Sequence, residues 1–285
     1  MKKIVMQLCL LSSLLVAAPA QGDVQQAGKP VVAKKVTRPA PSAAGREALA
    51  AAKAVLDGAR GLHGADRLQV LERAGSAYDK VMADFAAEPV VAAVAAFTAA
   101  GVWRQHGSLP FAEKDYLAAA SFDADRYGQR GLLGAADMQR RQKRLDDALA
   151  TYAKAAALDP NTGVAQDARL WQGRVLQSLG KLDEAIASFQ STLEAARSIR
   201  DTIETVNFLA IAWIEKGDLT AAGHAIEHAE EAVAGSGEED PVVVERWRKA
   251  LEGMSARKAL QRASDKQNGA AKDAARLEEE RRGND

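Results

Sequence analysis

The chain has 285 residues, of which 38 are basic, 38 are acidic and 61 are alanine. The balance of charge argues against a protein that binds nucleic acid by bulk electrostatics, because such proteins need an excess of basic residues to displace counterions. Aromatic residues make up only 5% of the chain. Alanine is the best helix former, whereas strands favour β-branched and aromatic residues, so the composition predicts an all-α protein.

Residues 1–20 have the pattern of a secretory signal peptide. Two lysines precede a largely apolar stretch, and Ala18-Pro19-Ala20 supplies the small residues that signal peptidase accepts before Gln21. The alternative is an uncleaved membrane anchor, but the apolar run is shorter than the roughly 20 residues that span a bilayer. We therefore predict cleavage at this site, a periplasmic or secreted mature chain, and no transmembrane segment after cleavage.

A basic segment and a long train of helical patterns follow the signal peptide. Residues 21–43 hold four basic side chains and one acidic side chain, which predicts a disordered tether that is either a solvated linker or a contact to anionic lipid or cell-wall polymer. From residue 44 to 262 the chain has the pattern of successive helices, because its prolines fall between helical patterns or open one. Residues 263–285 are charged and lack an apolar stripe, which predicts a frayed helix or a disordered tail.

A repeat of 36 or 37 residues organises the helical region. Its anchors are four alanines with similar neighbours, Ala112, Ala148, Ala185 and Ala222. A leucine stands three residues before each anchor, an aromatic residue or isoleucine four residues after it, and alanine or threonine seven residues after it. Five residues before the anchor, three units have glycine and the second has Lys143. Nine residues before it, three units have a large apolar residue and the second has Gln139.

These offsets predict a helical hairpin. Residues three, four and seven positions apart share one helix face, so each set forms a single apolar stripe, and the glycine ends the preceding helix. One hairpin cannot bury both of its faces, so successive hairpins must stack into an α-solenoid. A degenerate unit around Ala74 brings the total to about four to five units. The pattern that opens at Pro241 predicts a C-terminal capping helix, with Trp247 inserted into the last apolar face.

The repeat resembles the tetratricopeptide repeat (TPR), whose pattern is W-x2-L-G-x2-Y followed by A-x3-F and P. The best matches are GRVLQSLGKLDEAIASF at 173–189 and KRLDDALATYAKAAALDP at 143–160, and the resemblance extends over residues 66–233. The resemblance implies a non-enzymatic scaffold for protein–protein interactions, with a protein or peptide partner and no cofactor. Together with the signal peptide, it implies a periplasmic role in envelope assembly, secretion or polymer export.

The resemblance also implies a concave groove lined by the first helices of successive hairpins. In the register above, its apolar contacts would be Phe97, Leu133 and Leu170. The predicted partner-binding residues are polar and rich in arginine: Arg104, Arg130, Asp137, Arg140, Arg174, Gln177 and Asn207. The arginines predict an acidic partner, because guanidinium pairs with carboxylate in a bidentate fork. The alternative is a solvated face without a ligand.

One short motif indicates a different chemistry. His224, Glu227 and His228 match the H-x-x-E-H pattern of inverted zinc peptidases, in which the two histidines ligate zinc and the glutamate activates water. A zinc-dependent hydrolase is therefore the alternative function. However, the motif falls in a predicted second helix of a repeat, on a face that should be solvated, and no cysteine or further histidine follows it. We therefore predict no metal site and no catalytic residues.

Overall fold

A computed structural model of the protein describes residues 39–238 and 240–282, so the predicted signal peptide and most of the tether lie outside the described residues. Those residues contain helices and connections but no strand. No helix among them is both long and apolar enough to cross a membrane. The helices are α1 (Ala43–Asp57), α2 (Gly64–Asp84), α3 (Pro89–His106), α4 (Leu109–Phe122), α5 (Gln129–Arg141), α6 (Leu145–Leu158), α7 (Gly163–Ser178), α8 (Leu182–Glu194), α9 (Ile199–Lys216), α10 (Leu219–Ala234), α11 (Pro241–Glu252) and α12 (Ser255–Arg282), with one turn of π-helix at Ala124–Gly128.

The first ten helices form five hairpins that stack in chain order, from α1–α2 to α9–α10, and neighbouring helices make most of the contacts. Burial follows the predicted register. The four anchor alanines are fully buried. The residues four positions after them are at most 6% exposed: Tyr116, Tyr152, Phe189 and Ile226. The all-α solenoid that the repeat predicts is therefore the observed fold.

In four of the five hairpins, the turn between the two helices is the same left-handed helix ending. The residue five positions before the anchor alanine has a positive φ in four units, namely 96° at Gly107, 66° at Lys143, 73° at Gly180 and 90° at Gly217. The amide of the following residue donates to the carbonyl five residues earlier at 2.9–3.0 Å, which closes the 6→1 bond of the Schellman motif. Within the described residues, Lys143 is the one non-glycine residue with a positive φ.

The two helices of a hairpin approach closely where a small residue faces an aromatic ring. A Cβ atom added to Gly173 on α7 would lie 2.5 Å from Cε1 of Phe189 on α8, which is closer than carbon atoms pack. Ala185 is fully buried on α8, one turn before Phe189. The α7–α8 contact therefore has no room for a larger side chain.

We expect Ala185→Leu to lower the free energy of unfolding by about 1–3 kcal/mol, because the larger side chain overpacks this contact. Urea unfolding followed by circular dichroism measures the change. Ala187→Leu, on the exposed side of α8, is the matched control. Wild-type stability of the Ala185→Leu variant would show that the repeat register is wrong.

The C-terminal cap is built from two helices where the sequence predicts one. The chain bends after Glu252, and this bend buries Leu251, Met254 and Ala256 in the same core as α9 and α10. Trp247, which the sequence places inside that face, is only half-buried at its edge. Helix α12 then continues through the predicted charged tail as far as Arg282.

Candidate binding groove

The structure gathers most of the predicted groove residues around two neighbouring recesses between α3 and α9. The first, here called the apolar recess, has a volume of about 450 Å³ and is lined by Phe97, Arg104, Tyr116, Arg130, Leu133, Gly134, Asp137, Met138, Tyr152, Val164 and Trp171. The second, here called the basic recess, has a volume of about 380 Å³ and is lined by Arg140, Lys143, Leu145, Trp171, Arg174, Gln177, Ser178, Phe208 and Ile211. Trp171 lines both recesses and forms the boundary between them.

An alternating stack of arginine and aromatic side chains runs from α5 to α9. The guanidinium carbon of Arg140 lies 4.4 Å from the centre of the Trp171 ring, and that of Arg174 lies 4.0 Å from it. The guanidinium carbon of Arg174 also lies 4.4 Å from the ring centre of Phe208. Cation–π stacking holds a guanidinium by its flat face and leaves its N–H edge available to a carboxylate. The stack therefore fixes two positive groups along the groove.

The two stacked arginines differ in how their charge is neutralised. Arg140 donates to Asp137 Oδ1 at 2.5 Å. Burial acts to lower the pKa of Arg140, but the hydrogen bond and the charge of Asp137 outweigh it and raise that pKa. Arg174 has no carboxylate within ion-pair distance in the described part of the chain. Burial, followed by the charge of Arg140, lowers the pKa of Arg174, and the more distant charges of Glu204 and Asp137 offset this only in part. Arg174 is therefore a half-buried cation without a direct counter-ion.

The apolar recess has a polar group in its wall. Tyr152 is fully buried, and its hydroxyl lies beside the Arg140 guanidinium, although the geometry between them falls short of a regular hydrogen bond. Burial, and then the negative charge of Asp137, raise the pKa of Tyr152 to about 12, so the hydroxyl stays protonated near neutral pH. The recess thus combines aromatic and aliphatic walls with one buried hydrogen-bond donor.

Three of the predicted groove residues are engaged within the protein. Asn207 Oδ1 accepts hydrogen bonds from the Ser255 hydroxyl at 3.1 Å and from the next amide at 3.0 Å, so α9 caps the start of α12. Gln177 Nε2 donates to Glu215 Oε2 on α9 at 2.8 Å. Leu170 is 6% exposed and belongs to the C-terminal core. Most of the other predicted polar residues lie on α5 and α7, so these two helices form the centre of the groove.

Two residues that shape the recesses were not predicted as part of the groove. Trp171 is half-buried and lines both recesses. A signal was present, because Trp171 precedes Phe208 by 37 residues, one repeat period, and therefore shares its position. The sequence does distinguish Lys143, because the three equivalent residues of the other units are glycines. Its role in the basic recess appears only when α5, α7 and α9 are brought together.

In the described part of the chain, the fold brings no third ligand to the alternative zinc site. His224, Glu227 and His228 are exposed on α10. Nowhere in residues 39–238 and 240–282 do three or more His, Cys, Asp or Glu side chains lie where they could hold one metal ion. No observation in the described residues therefore favours a hydrolase.

Comparison with known proteins agrees with this architecture. The tetratricopeptide repeat family matches residues 166–198, which cover most of α7 and all of α8, and no curated protein matches the chain. Among solved structures, a tetratricopeptide repeat protein from Parabacteroides merdae is 16% identical, with a TM-score of 0.52 over 79% of this chain and 79% of its own. MamA from Desulfovibrio magneticus RS-1, from residue 41 to its end, is 12% identical, with a TM-score of 0.52 over 70% of this chain and 100% of its own. BtubC from P. vanneervenii is 16% identical, with a TM-score of 0.50 over 70% of this chain and 95% of its own. The chain therefore has the fold of a TPR solenoid, and its segment 166–198 matches the TPR family by sequence.

Proposed function

We propose that the protein is an exported, non-enzymatic scaffold that binds a segment of a partner protein in the groove on α3, α5 and α7. Its role would lie in envelope assembly, secretion or polymer export. The fold supports an interaction role, because stacked hairpins present the first helix of each unit on one extended surface. Export rests on the pattern of residues 1–20.

The charge of Arg174 is the observation that carries the groove assignment. A half-buried cation without a direct ion-pair partner is costly in a monomer, and a partner carboxylate would offset that cost. The guanidinium is held in place by Trp171 and Phe208, so little side-chain freedom is lost on binding. We therefore propose that the partner segment is acidic.

We expect the protein recovered from the periplasm to begin at Gln21, because the preceding Ala-Pro-Ala fits the specificity of signal peptidase. Amino-terminal sequencing of the recovered protein decides the matter. An intact Met1 in the membrane fraction would show that the segment is an anchor.

We expect Arg140→Gln combined with Arg174→Gln to reduce capture of the natural partner from a cell extract by about 10-fold or more, because each hydrogen bond to a charged group is worth about 1.5–3 kcal/mol. We choose glutamine and not the charge-reversing glutamate, because glutamate at position 140 would repel Asp137. The double variant should also melt slightly earlier, because it loses stacking contacts worth about 0.5–2 kcal/mol each.

The control for this pair is Arg169→Gln, which changes an arginine of α7 that donates to the carbonyl of Pro160 and lines neither recess. Capture by this variant should match that of wild type. Capture by wild type should weaken as salt rises, because salt screens the charges of the groove. Full capture by a folded double variant would place the binding site outside the groove.

A further inference from the structure

This inference rests on the proposed function and names the kind of segment that the groove accepts. We propose that the groove selects an extended partner segment in which a large apolar side chain and a carboxylate side chain lie on the same side, two residues apart. The apolar side chain enters the apolar recess, the carboxylate enters the basic recess, and Trp171 separates the two.

The apolar recess is suited to one large side chain. Its volume of about 450 Å³ lies in the range of small-ligand sites, about 300–1,000 Å³. Phe97, Leu133 and Val164 give it apolar walls from three successive first helices. The protonated hydroxyl of Tyr152 is buried in its wall, and the exposed Arg104 and Arg130 also line it and can donate to backbone carbonyls of the entering segment.

The basic recess is suited to an anion. Its charged lining residues are Arg140, Lys143 and Arg174, and no acidic side chain lines it. Asp137 binds Arg140 from outside this recess, and Glu215 binds Gln177 near it. Two of the three cations are held rigid by stacking on Trp171. The arrangement therefore presents fixed positive groups around the indole ring.

Lys143 provides an independent indication that this positive charge has a use. It adopts a left-handed φ of 66°, where the equivalent residues of three other units are glycines. A long side chain in this conformation is strained relative to glycine. Backbone strain of this kind concentrates at functional sites. Glycine would relieve the strain at position 143 but would remove a cation from the basic recess.

The spacing of the two recesses determines the spacing in the partner. Trp171 lines both of them, so the two recesses adjoin at one side chain. In an extended segment, side chains two residues apart point to the same side and are about 6.6 Å apart. An apolar residue at position i and an aspartate or glutamate at i+2, or the reverse order, therefore matches the two recesses.

Selection from a displayed library of random heptapeptides on the purified chain tests this inference. We expect the selected sequences to pair a large apolar residue with an acidic residue two positions away. A fluorescein-labelled peptide of the selected sequence then serves as the probe in fluorescence anisotropy. Replacing its acidic residue with the corresponding amide should weaken binding about 10-fold.

Variants of the protein separate the two recesses. Lys143→Gly should weaken binding of the acidic peptide several-fold while raising Tm by about 2–4 °C, whereas Lys143→Arg should keep wild-type affinity. The amide peptide should not distinguish Lys143→Gly from wild type. Val164→Phe should fill the apolar recess and weaken both peptides, while Val242→Phe, on the exposed face of α11, should weaken neither.

Several results would overturn the inference without touching the proposed function. They are the selection of no peptide, the selection of peptides without the apolar–acidic pair, or unchanged affinity in both Lys143→Gly and Val164→Phe. The proposed function would still stand in each case if the double arginine variant loses its natural partner. The proposed function itself would be wrong if the double arginine variant captures the partner as well as wild type does.

Discussion

Asp115→Asn should stabilise the protein at alkaline pH by several kcal/mol and have little effect near pH 4. The reason is a pair of carboxyl groups between α2 and α4, the fully buried Asp115 and the half-buried Asp79. Asp115 is fully buried, and burial, followed by the charge of Asp79, raises its pKa to about 8. The asparagine side chain is neutral at every pH and can donate to the neighbouring carboxylate, as a protonated Asp115 does.

The surroundings of this pair offer few hydrogen-bond donors. A proton shared between the two carboxyl groups is therefore their main source of hydrogen bonding. Both oxygens of Asp115 and Oδ1 of Asp79 are buried without a donor among the described residues. Trp103 on α3 donates to the other oxygen of Asp79 at 3.0 Å. Lys114 is the one cation near Asp115, at 3.8 Å, and its side chain is largely exposed, so its charge is screened by water.

The sign of the pH dependence follows from the direction of the pKa shift. The unfolded chain releases the proton of Asp115 near pH 4, whereas the folded protein holds it until about pH 8. The stabilising effect of this proton is therefore complete below about pH 4 and is lost as pH rises to about 8, at about 1.4 kcal/mol per pH unit. The whole effect is on the order of 5 kcal/mol.

Urea unfolding of wild type and Asp115→Asn at pH 5, 7 and 9 measures this difference. The difference in unfolding free energy between the two proteins should grow steadily with pH. Asp146→Asn, on the exposed first turn of α6, is the matched control and should show a small, constant difference. Parallel stability curves for Asp115→Asn and wild type would show that Asp115 is ionised in the folded protein.

The sequence predicts the solenoid well because its signal is periodic. Each unit repeats the same offsets, so an error in one unit is corrected by the other three. Asp115 is a polar residue within this apolar pattern. It lies three residues after an anchor alanine, on the apolar stripe, so its burial could have been predicted. Its pairing with Asp79 could not have been predicted, because no spacing rule places a given turn of α2 beside a given turn of α4.

The groove is less predictable because its properties depend on contacts between units. The register places Arg140, Arg174 and Asn207 on first helices, and this placement is correct. It cannot show that Trp171 lies between the two arginines, nor that the start of α12 occupies Asn207. The bend after Glu252 brings α12 to that position, and no repeat period encodes it.

Glu113→Leu should lower the free energy of unfolding by about 3 kcal/mol, because it removes the acceptor of a buried polar network. Glu113, on α4, is 8% exposed. Its carboxylate accepts from Gln139 at 2.9 Å, from Gln142 at 2.8 Å and from Arg144 at 2.7 Å. Gln139 is itself 6% exposed, so without Glu113 its amide would be buried and unpaired. The network explains why the second unit tolerates a glutamine where the other units have a large apolar residue.

Restoring the apolar residue should rescue much of this loss. Gln139→Leu alone should cost about 1 kcal/mol, since Glu113 keeps two donors. In Glu113→Leu with Gln139→Leu no buried polar group is left unpaired, because Arg144 still binds Asp147 and Gln142 can donate to a backbone carbonyl. The double variant should therefore be more stable than the sum of the single changes by about 1–3 kcal/mol. A double-mutant cycle in urea measures this coupling, and strictly additive effects would show that Glu113 and Gln139 stabilise the α4–α5 contact independently.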